Sequence, residues 1–248
     1  MAREPIRVGT AAWSIPKQHA AAFPPTGSHL ERYAQRLNAV EINTSFYRPH
    51  RRATYARWAA SVPDGFAFAV KAPQEITHER RLAGADAALD RFLDEIGGLG
   101  AKLGPLLFQL PPKFTFDPVV AEAFLTGLRD RHDGDLVWEP RHPAWFTAEA
   151  DELLASYRVA RVVADPALVP QAREPGGWRD LVYVRLHGAP RIYYSDYEAD
   201  RLAQVADEMA DAAGAGRKVW CIFDNTALGH ATGNALAVHE RTTRRVAA

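Results

Sequence analysis

The chain has one cysteine, no net charge, and no apolar run long enough to cross a bilayer. Cys221 alone cannot close an intrachain disulfide, which excludes a disulfide-stapled scaffold and fits a reducing compartment. It stands in the run Val219-Trp220-Cys221-Ile222-Phe223, where a small buried core thiol is expected rather than a nucleophile. Lys and Arg total 30 against 30 Asp and Glu, so the basic excess that attracts nucleic acid or an anionic membrane is missing. No stretch approaches the roughly 18 apolar residues of a membrane helix. The start, Met1-Ala2-Arg3-Glu4-Pro5, lacks the apolar core of a signal peptide. A soluble, cytoplasmic protein is expected.

Cofactor fingerprints are also missing. Gly9-Thr10-Ala11-Ala12-Trp13 follows the first strand candidate, and it is not the glycine pattern that cradles a dinucleotide. No HxH, HExxH or CxxC spacing occurs, so no metal ligands are assigned, and a divalent ion is the less favoured option.

What is present is alternation. Short β-branched apolar runs at 6–10, 39–43, 66–71, 106–110, 136–139, 160–165, 181–187 and 219–224 read as strands. Helical signals lie between them. Leu89, Phe92, Leu93, Ile96 and Leu99 recur at steps of three and four, the stripe of an amphipathic helix. Asp117-Pro118 reads as an N-cap with Pro at the first helical position. Ser195-Asp196-Tyr197-Glu198 reads as a capping box that opens a helix burying Leu202, Val205, Ala206 and Met209. Helices are also expected at 30–37, 53–60, 149–157 and 233–241. The segment 166–179 is rich in Pro and Gly and has no helical period. Strand–helix alternation implies parallel strands with crossover helices. Eight units in 248 residues predict an α/β fold: a single (β/α)8 TIM-like barrel domain over residues 1–248, with a weak or missing sixth helix.

In such a barrel, functional groups gather at the C-terminal ends of the strands. Those ends carry Glu41 and Asn43, Lys71, Gln109, Glu139 and Arg141, Asp165, Arg185 and His187, and Asp224 and Asn225. The two-residue period of a strand puts Glu41 with Asn43, Glu139 with Arg141, and Arg185 with His187 on shared faces. On the third strand, Ala67, Ala69 and Lys71 share one face while Phe66, Phe68 and Val70 share the other, which sets Lys71 at the barrel mouth. Charged residues on so many inward faces are costly unless hydrated or paired, which favours a convergent polar site.

The same segments resemble the family catalogued as domain of unknown function 72. The resemblance rests on Val8-Gly9-Thr10 with Trp13, Val40-Glu41-Ile42-Asn43-Thr44-Ser45-Phe46-Tyr47, Phe68-Ala69-Val70-Lys71-Ala72 and Ile76-Thr77-His78. It continues through Gln109-Leu110-Pro111-Pro112-Lys113-Phe114, Val137-Trp138-Glu139-Pro140-Arg141-His142-Pro143 and Tyr183-Val184-Arg185-Leu186-His187-Gly188. These motifs run in the family's order over nearly the whole chain. The resemblance implies a TIM-barrel-like fold and a polar site containing Glu41, Asn43, Lys71, His78, Gln109, Glu139, Arg141, Arg185, His187 and Asn225. It brings no reaction with it. Phe223-Asp224-Asn225 departs from the family's usual Phe-Asn-Asn, so no amide role carries over to position 224.

The expected activity is acid/base catalysis on a small polar, anionic or sugar-like substrate. Glu41, Glu139, His187 and Lys71 are the catalytic candidates. Asn43, His78, Gln109, Arg141, Arg185 and Asn225 are the substrate-binding candidates, the arginines offering donor forks suited to phosphate or carboxylate. The carboxylates Glu41, Glu139 and Asp165 suggest a glycosidase-like pair. Trp13, Phe46, Tyr47, Trp145, Tyr193 and Tyr194 suit stacking on a sugar or base, or simply fill core. A Schiff base on Lys71 needs a depressed pKa, which nearby carboxylates oppose. Two alternatives stand beside this reading: a metal-dependent phosphoesterase or nuclease-like hydrolase, using His78, His142, His187, Glu139 and Asp165, and a non-catalytic small-metabolite-binding barrel. The expected partner is a small polar or anionic molecule. Nucleic acid is not indicated by composition, and a membrane is not expected.

Overall fold

In a computed structural model, residues 5–246 are described, the side chain of Val246 excepted. Ten strands alternate with seven α-helices among those residues. The strands are β1 (Arg7–Thr10), β2 (Ala39–Ile42), β3 (Ala67–Lys71), β4 (Leu103–Gln109), β5 (Leu136–Glu139), β6 (Val159–Arg161), β7 (Val163–Asp165), β8 (Gly176–Gly177), β9 (Leu181–Leu186) and β10 (Lys218–Phe223). The helices are α1 (His29–Tyr33), α2 (Arg52–Ala60), α3 (Asp86–Ile96), α4 (Pro118–Arg129), α5 (Ala148–Ser156), α6 (Ala199–Gly214) and α7 (His230–Val246).

The α/β class is as expected, but the ladders do not close into one cylinder. They form two sheets, ordered β1-β10-β9-β7 and β2-β3-β4-β5-β6-β8. All pairings are parallel except β6 with β8, which is antiparallel. The sheets meet at two places. Only Val162 separates β6 from β7, so one run of chain starts in the second sheet and ends in the first. At the other junction a single parallel bridge joins Ala11 to Glu41, with the Ala12 N–H donating to the Glu41 carbonyl at 2.9 Å. Gly9 makes this approach feasible, since a Cβ there would lie 2.0 Å from the Ala39 carbonyl oxygen.

The helices form for local reasons and bury one stripe each. Asp117 accepts from Val119 and Val120 N–H groups at 3.0 and 3.2 Å, with Pro118 opening α4. In α3 the buried stripe is Ala88, Leu89, Phe92 and Ile96. The expected capping box at Ser195 is overturned. Helix α6 starts at Ala199 without a side-chain cap, and Ser195 Oγ instead accepts from the Arg191 N–H inside the preceding loop. The buried stripe predicted for that helix, Leu202 through Met209, is as read. The sixth crossover lacks an α-helix: 170–173 is a short 3₁₀ turn, followed by β8.

Each strand divides its residues between two cores. One face joins the helices: Phe66, Phe68, Val70, Leu106, Phe108, Trp138, Val184, Cys221 and Phe223 belong to that cluster. Cys221 is fully enclosed there and burial pushes its thiol well up, so it is the inert core thiol expected. The other face forms a second cluster drawn from both sheets: Ala39, Ala69, Leu107, Val137, Ala160, Val162, Leu181, Tyr183, Trp220 and Ile222. Ala67 packs against it, so the small-in, large-out reading of β3 holds.

Candidate functional site at the strand ends

Two residues beyond six members of the inner cluster, the same face turns polar. Ala39 leads to Glu41, Ala69 to Lys71, Leu107 to Gln109, Val137 to Glu139, Tyr183 to Arg185 and His187, and Ile222 to Asp224. The strand period therefore brings polar groups from six strands, two of them from β9, to the end of the same face.

Arg185 is the hub. It is fully buried, as is Glu41. Its Nε and Nη2 donate to Glu41 Oε2 and Oε1 at 3.0 and 2.7 Å, Nη1 donates to Glu139 Oε2 at 2.7 Å, and Nη2 also donates to Asp224 Oδ2 at 2.9 Å. Four of the five guanidinium donors are thus engaged. Tyr183, one strand step below Arg185, donates its hydroxyl to Glu41 Oε2 at 2.8 Å. Both Glu41 oxygens are therefore taken. Burial raises the Tyr183 pKa well above its usual value, and the Glu41 charge pushes it further.

His187 sits between two carboxylates. Its Nε2 lies 3.0 Å from Glu139 Oε1 and its Nδ1 lies 3.1 Å from Asp224 Oδ2. Arg141 Nη2 approaches both Glu139 Oε1, at 2.6 Å, and His187 Nε2, at 3.2 Å. Burial works against the Glu139 charge, but Arg185, Arg141 and His187 outweigh it and hold the carboxyl well below its usual range. Asp224 is lowered in the same way, with Arg185 and His187 overcoming burial. The Arg185 guanidinium is held firmly charged, burial being outweighed by Glu139, Glu41 and Asp224.

Lys71 and Arg141 differ from Arg185 in having unsatisfied donors. Lys71 is nearly buried, and its ammonium rests over the Phe46 ring 4.2 Å from the centroid. Its pKa falls to about 8, through burial first and the Arg185 charge second, against the pull of Glu41, Glu139 and Asp224. The carboxylates favour the charged form as expected, but burial and the Arg185 charge outweigh them. Among the described residues, Arg141 Nε is buried with no hydrogen-bond partner, and so is Asn43 Oδ1. Gln109 is half-buried and lies beside Glu139 in the β4–β5 register. His78 stacks edge-on against Phe46 at 4.9 Å, its pKa lowered by burial and then by Lys71.

Other expected members lie elsewhere. Asp165 falls on the opposite strand face and pairs with Arg201 of α6 at 3.0 Å, so it is not a third carboxylate of this cluster. Asn225 also takes the other face: its Nδ2 donates to the Ser195 carbonyl and to Asn234 Oδ1 at 2.9 and 2.8 Å, tying a loop to α7. Asp224, discounted in favour of its neighbour, is the residue that enters the cluster. His142 accepts from the Ala144 N–H at 3.2 Å and caps a short turn. Trp145 is fully buried core, its indole N–H bonded to the Phe114 carbonyl. Of the aromatic candidates, Phe46 flanks Lys71, and Tyr193 stands edge-on to His187 at 6.0 Å. Tyr183 was missed, although the two-step period from Arg185 pointed to it. Among the described residues no group of three or more His, Cys, Asp or Glu is arranged to hold a metal ion, and no helix is long and apolar enough to cross a membrane.

The family model described as "Protein of unknown function DUF72" matches residues 7–248. The chain belongs to this family. It is 31% identical over 175 residues to the UPF0759 protein YecE of Escherichia coli K12, a match covering 68% of this chain and 62% of that protein. It is 30% identical over 200 residues to the UPF0759 protein YunF of Bacillus subtilis, covering 74% and 70%. The first of these matches spans less than two thirds of the relative's length. A crystal structure of a DUF72 family protein from Enterococcus faecalis superposes with a TM-score of 0.81 at 23% identity, over 96% of this chain and 95% of that one. One from Thermotoga maritima superposes with 0.80 at 23% identity, over 98% and 100%. At that identity the likeness establishes the fold.

Proposed function

We propose that the strand-end cluster is an active site for acid/base chemistry on a small polar ligand carrying an anionic or sugar-like group. In this reading the two sheets are halves of one (β/α)8-type barrel domain acting in the cytoplasm, and the ligand enters at the C-terminal ends of the strands. The observation that carries it is the set of unpartnered polar atoms beside the Arg185–carboxylate network. Among the described residues Arg141 Nε and Asn43 Oδ1 are buried without a hydrogen-bond partner, where buried polar groups are ordinarily paired, and the Lys71 ammonium meets only the Phe46 face. Two cationic donors and one acceptor suit an anion with a neighbouring hydroxyl.

His187 and Glu139 supply the proton transfer. Asp224 accepting from Nδ1–H leaves the Nε2 lone pair free to accept from Arg141; a protonated ring donates Nε2–H to Glu139 instead. Glu41 and Tyr183 position Arg185, which in turn fixes Glu139 and Asp224. A binding barrel without turnover is the second reading, favoured by the near-complete burial of Glu139 and His187.

A thermal-shift screen of sugar phosphates, nucleotides and organic acids tests the proposal, because a ligand for the native state raises the melting temperature. A hit is expected whose shift disappears in Arg141→Ala and survives in Glu139→Gln while turnover is lost. A shift unaffected by Arg141→Ala would move the site elsewhere. Turnover absent in the wild type would favour the binding barrel.

A further inference from the structure

The lysines of this chain are not equivalent. Lys218 holds its ammonium 3.0 Å from both oxygens of Asp135, and Lys102 donates to the carbonyls of Ala59 and Val62 at 2.8 and 2.6 Å. The Lys71 ammonium has no hydrogen bond or ion pair among the described residues; its contact is the face of Phe46. It is also nearly buried at the end of β3, on the face that carries the strand-end cluster.

We propose that Lys71 is a nucleophilic amine that captures an aldehyde or ketone substrate as an imine, with His78 moving the protons. This rests on the reading above that the strand ends bind a small polar ligand, and it names the reactive group of that ligand as a carbonyl. The Lys71 nitrogen lone pair attacks the carbonyl carbon, and the C=O π electrons move to oxygen, which takes up a proton. One N–H proton passes to the base. The carbinolamine then expels its oxygen as water, assisted by a second proton, and the nitrogen becomes a protonated imine. No oxidant or reductant is required, and hydrolysis returns the amine.

The surroundings fit each need. Burial beside Arg185 brings the Lys71 pKa to about 8, so a useful fraction is neutral near physiological pH. The charged groups around it are Arg185, Glu41, Glu139 and Asp224, with His78 on the segment that follows β3. His78 Nδ1 lies 2.8 Å from Thr77 Oγ1, whose hydroxyl faces the Pro73 carbonyl at 3.4 Å. That hydroxyl sets the ring in one of two ways: donating to Pro73 it accepts Nδ1–H and leaves Nε2 a base, donating to Nδ1 it leaves Nε2–H an acid, and imine formation uses one of each. Lys71 and His78 share the Phe46 ring as a common wall. Arg141 Nε, unpartnered, suits an anionic group on the same carbonyl compound.

The test is reductive trapping on the full native chain with glyoxylate, pyruvate and dihydroxyacetone phosphate as carbonyl probes. Sodium borohydride fixes any imine as a secondary amine, and peptide mapping locates it. The expected result is labelling of Lys71 at least about tenfold above Lys17 and Lys113, with a pH midpoint near 8. His78→Asn should slow labelling by about 100-fold, an ordinary general acid–base contribution, without moving the site. Labelling spread over Lys17 and Lys113, or none on Lys71, overturns the proposal. A probe that raises the melting temperature in an Arg141-dependent way yet leaves Lys71 unlabelled keeps the binding site and removes the imine. Absence of both overturns the two together.

Discussion

Two levels of the same interior, one strand step apart, obey different rules. The lower level, with Ala69, Leu107, Val137, Tyr183, Trp220 and Ile222, is packed to exclude water. The upper level carries Lys71, Glu139, Arg185, His187 and Asp224 at nearly the same degree of burial. Burying charge is expensive, and an apolar replacement of similar volume is often as stable or more so. The lower level is explained by packing alone. The upper one is not explained that way; the proposed site, with its unpartnered donors, accounts for it. Within the upper level there is a further division: Arg185 is locked by four hydrogen bonds to carboxylates, whereas Lys71 has none.

The largest effect that breaks this comparison is expected from Arg185→Met. It strips the hub from three carboxylates and should cost roughly 3–5 kcal/mol or more at pH 7. Glu139 and Asp224 are held below their usual range in the wild type, so their contribution is present above the unfolded carboxylate range and lost as pH falls through the folded values. In the variant that depression is weaker, so the gap between the two proteins should narrow on acidification. Denaturant unfolding at several pH values checks this, and a gap independent of pH would contradict the ion-pair account. Leu107→Ala, in the lower level, should cost about 2–5 kcal/mol with no such pH dependence. Arg201→Met, which breaks the half-exposed pair with Asp165 outside both levels, should cost at most about 1 kcal/mol.

Much of the upper level was legible in the sequence because strand period is a strong constraint. It placed Glu41, Lys71, Glu139, Arg185 and His187 together, and the same logic assigns Tyr183. Parity along the strand, more than position along it, decides which residues join the cluster. Asp165 and Asn225 were grouped with the cluster by position along the strand, but they fall one residue off the inner face and bond to Arg201 and to Ser195 and Asn234. Asp224 was set aside as a departure from a motif, although its parity with Ile222 put it inside. The missing sixth helix was readable from Pro and Gly content. The division into two ladders was not, since a single bridge at Ala11 and one residue at Val162 decide it. The capping-box pattern at Ser195 failed because loop contacts took its side chain.

The claim that the upper level is held for chemistry at the expense of stability is tested most directly on Lys71. Its folded pKa of about 8 lies below the roughly 10.4 of an unfolded lysine. Between those values the unfolded chain binds more protons, so unfolding free energy rises with pH; below about 8 the buried charge is a cost. The measurement is the unfolding free energy of wild type and Lys71→Met from pH 6 to 10. The account predicts a variant at least as stable as the wild type at pH 7, with an advantage that shrinks toward pH 10. A Lys71→Met protein clearly less stable at pH 7, by about 2 kcal/mol or more, would show that the lysine is there to hold the fold.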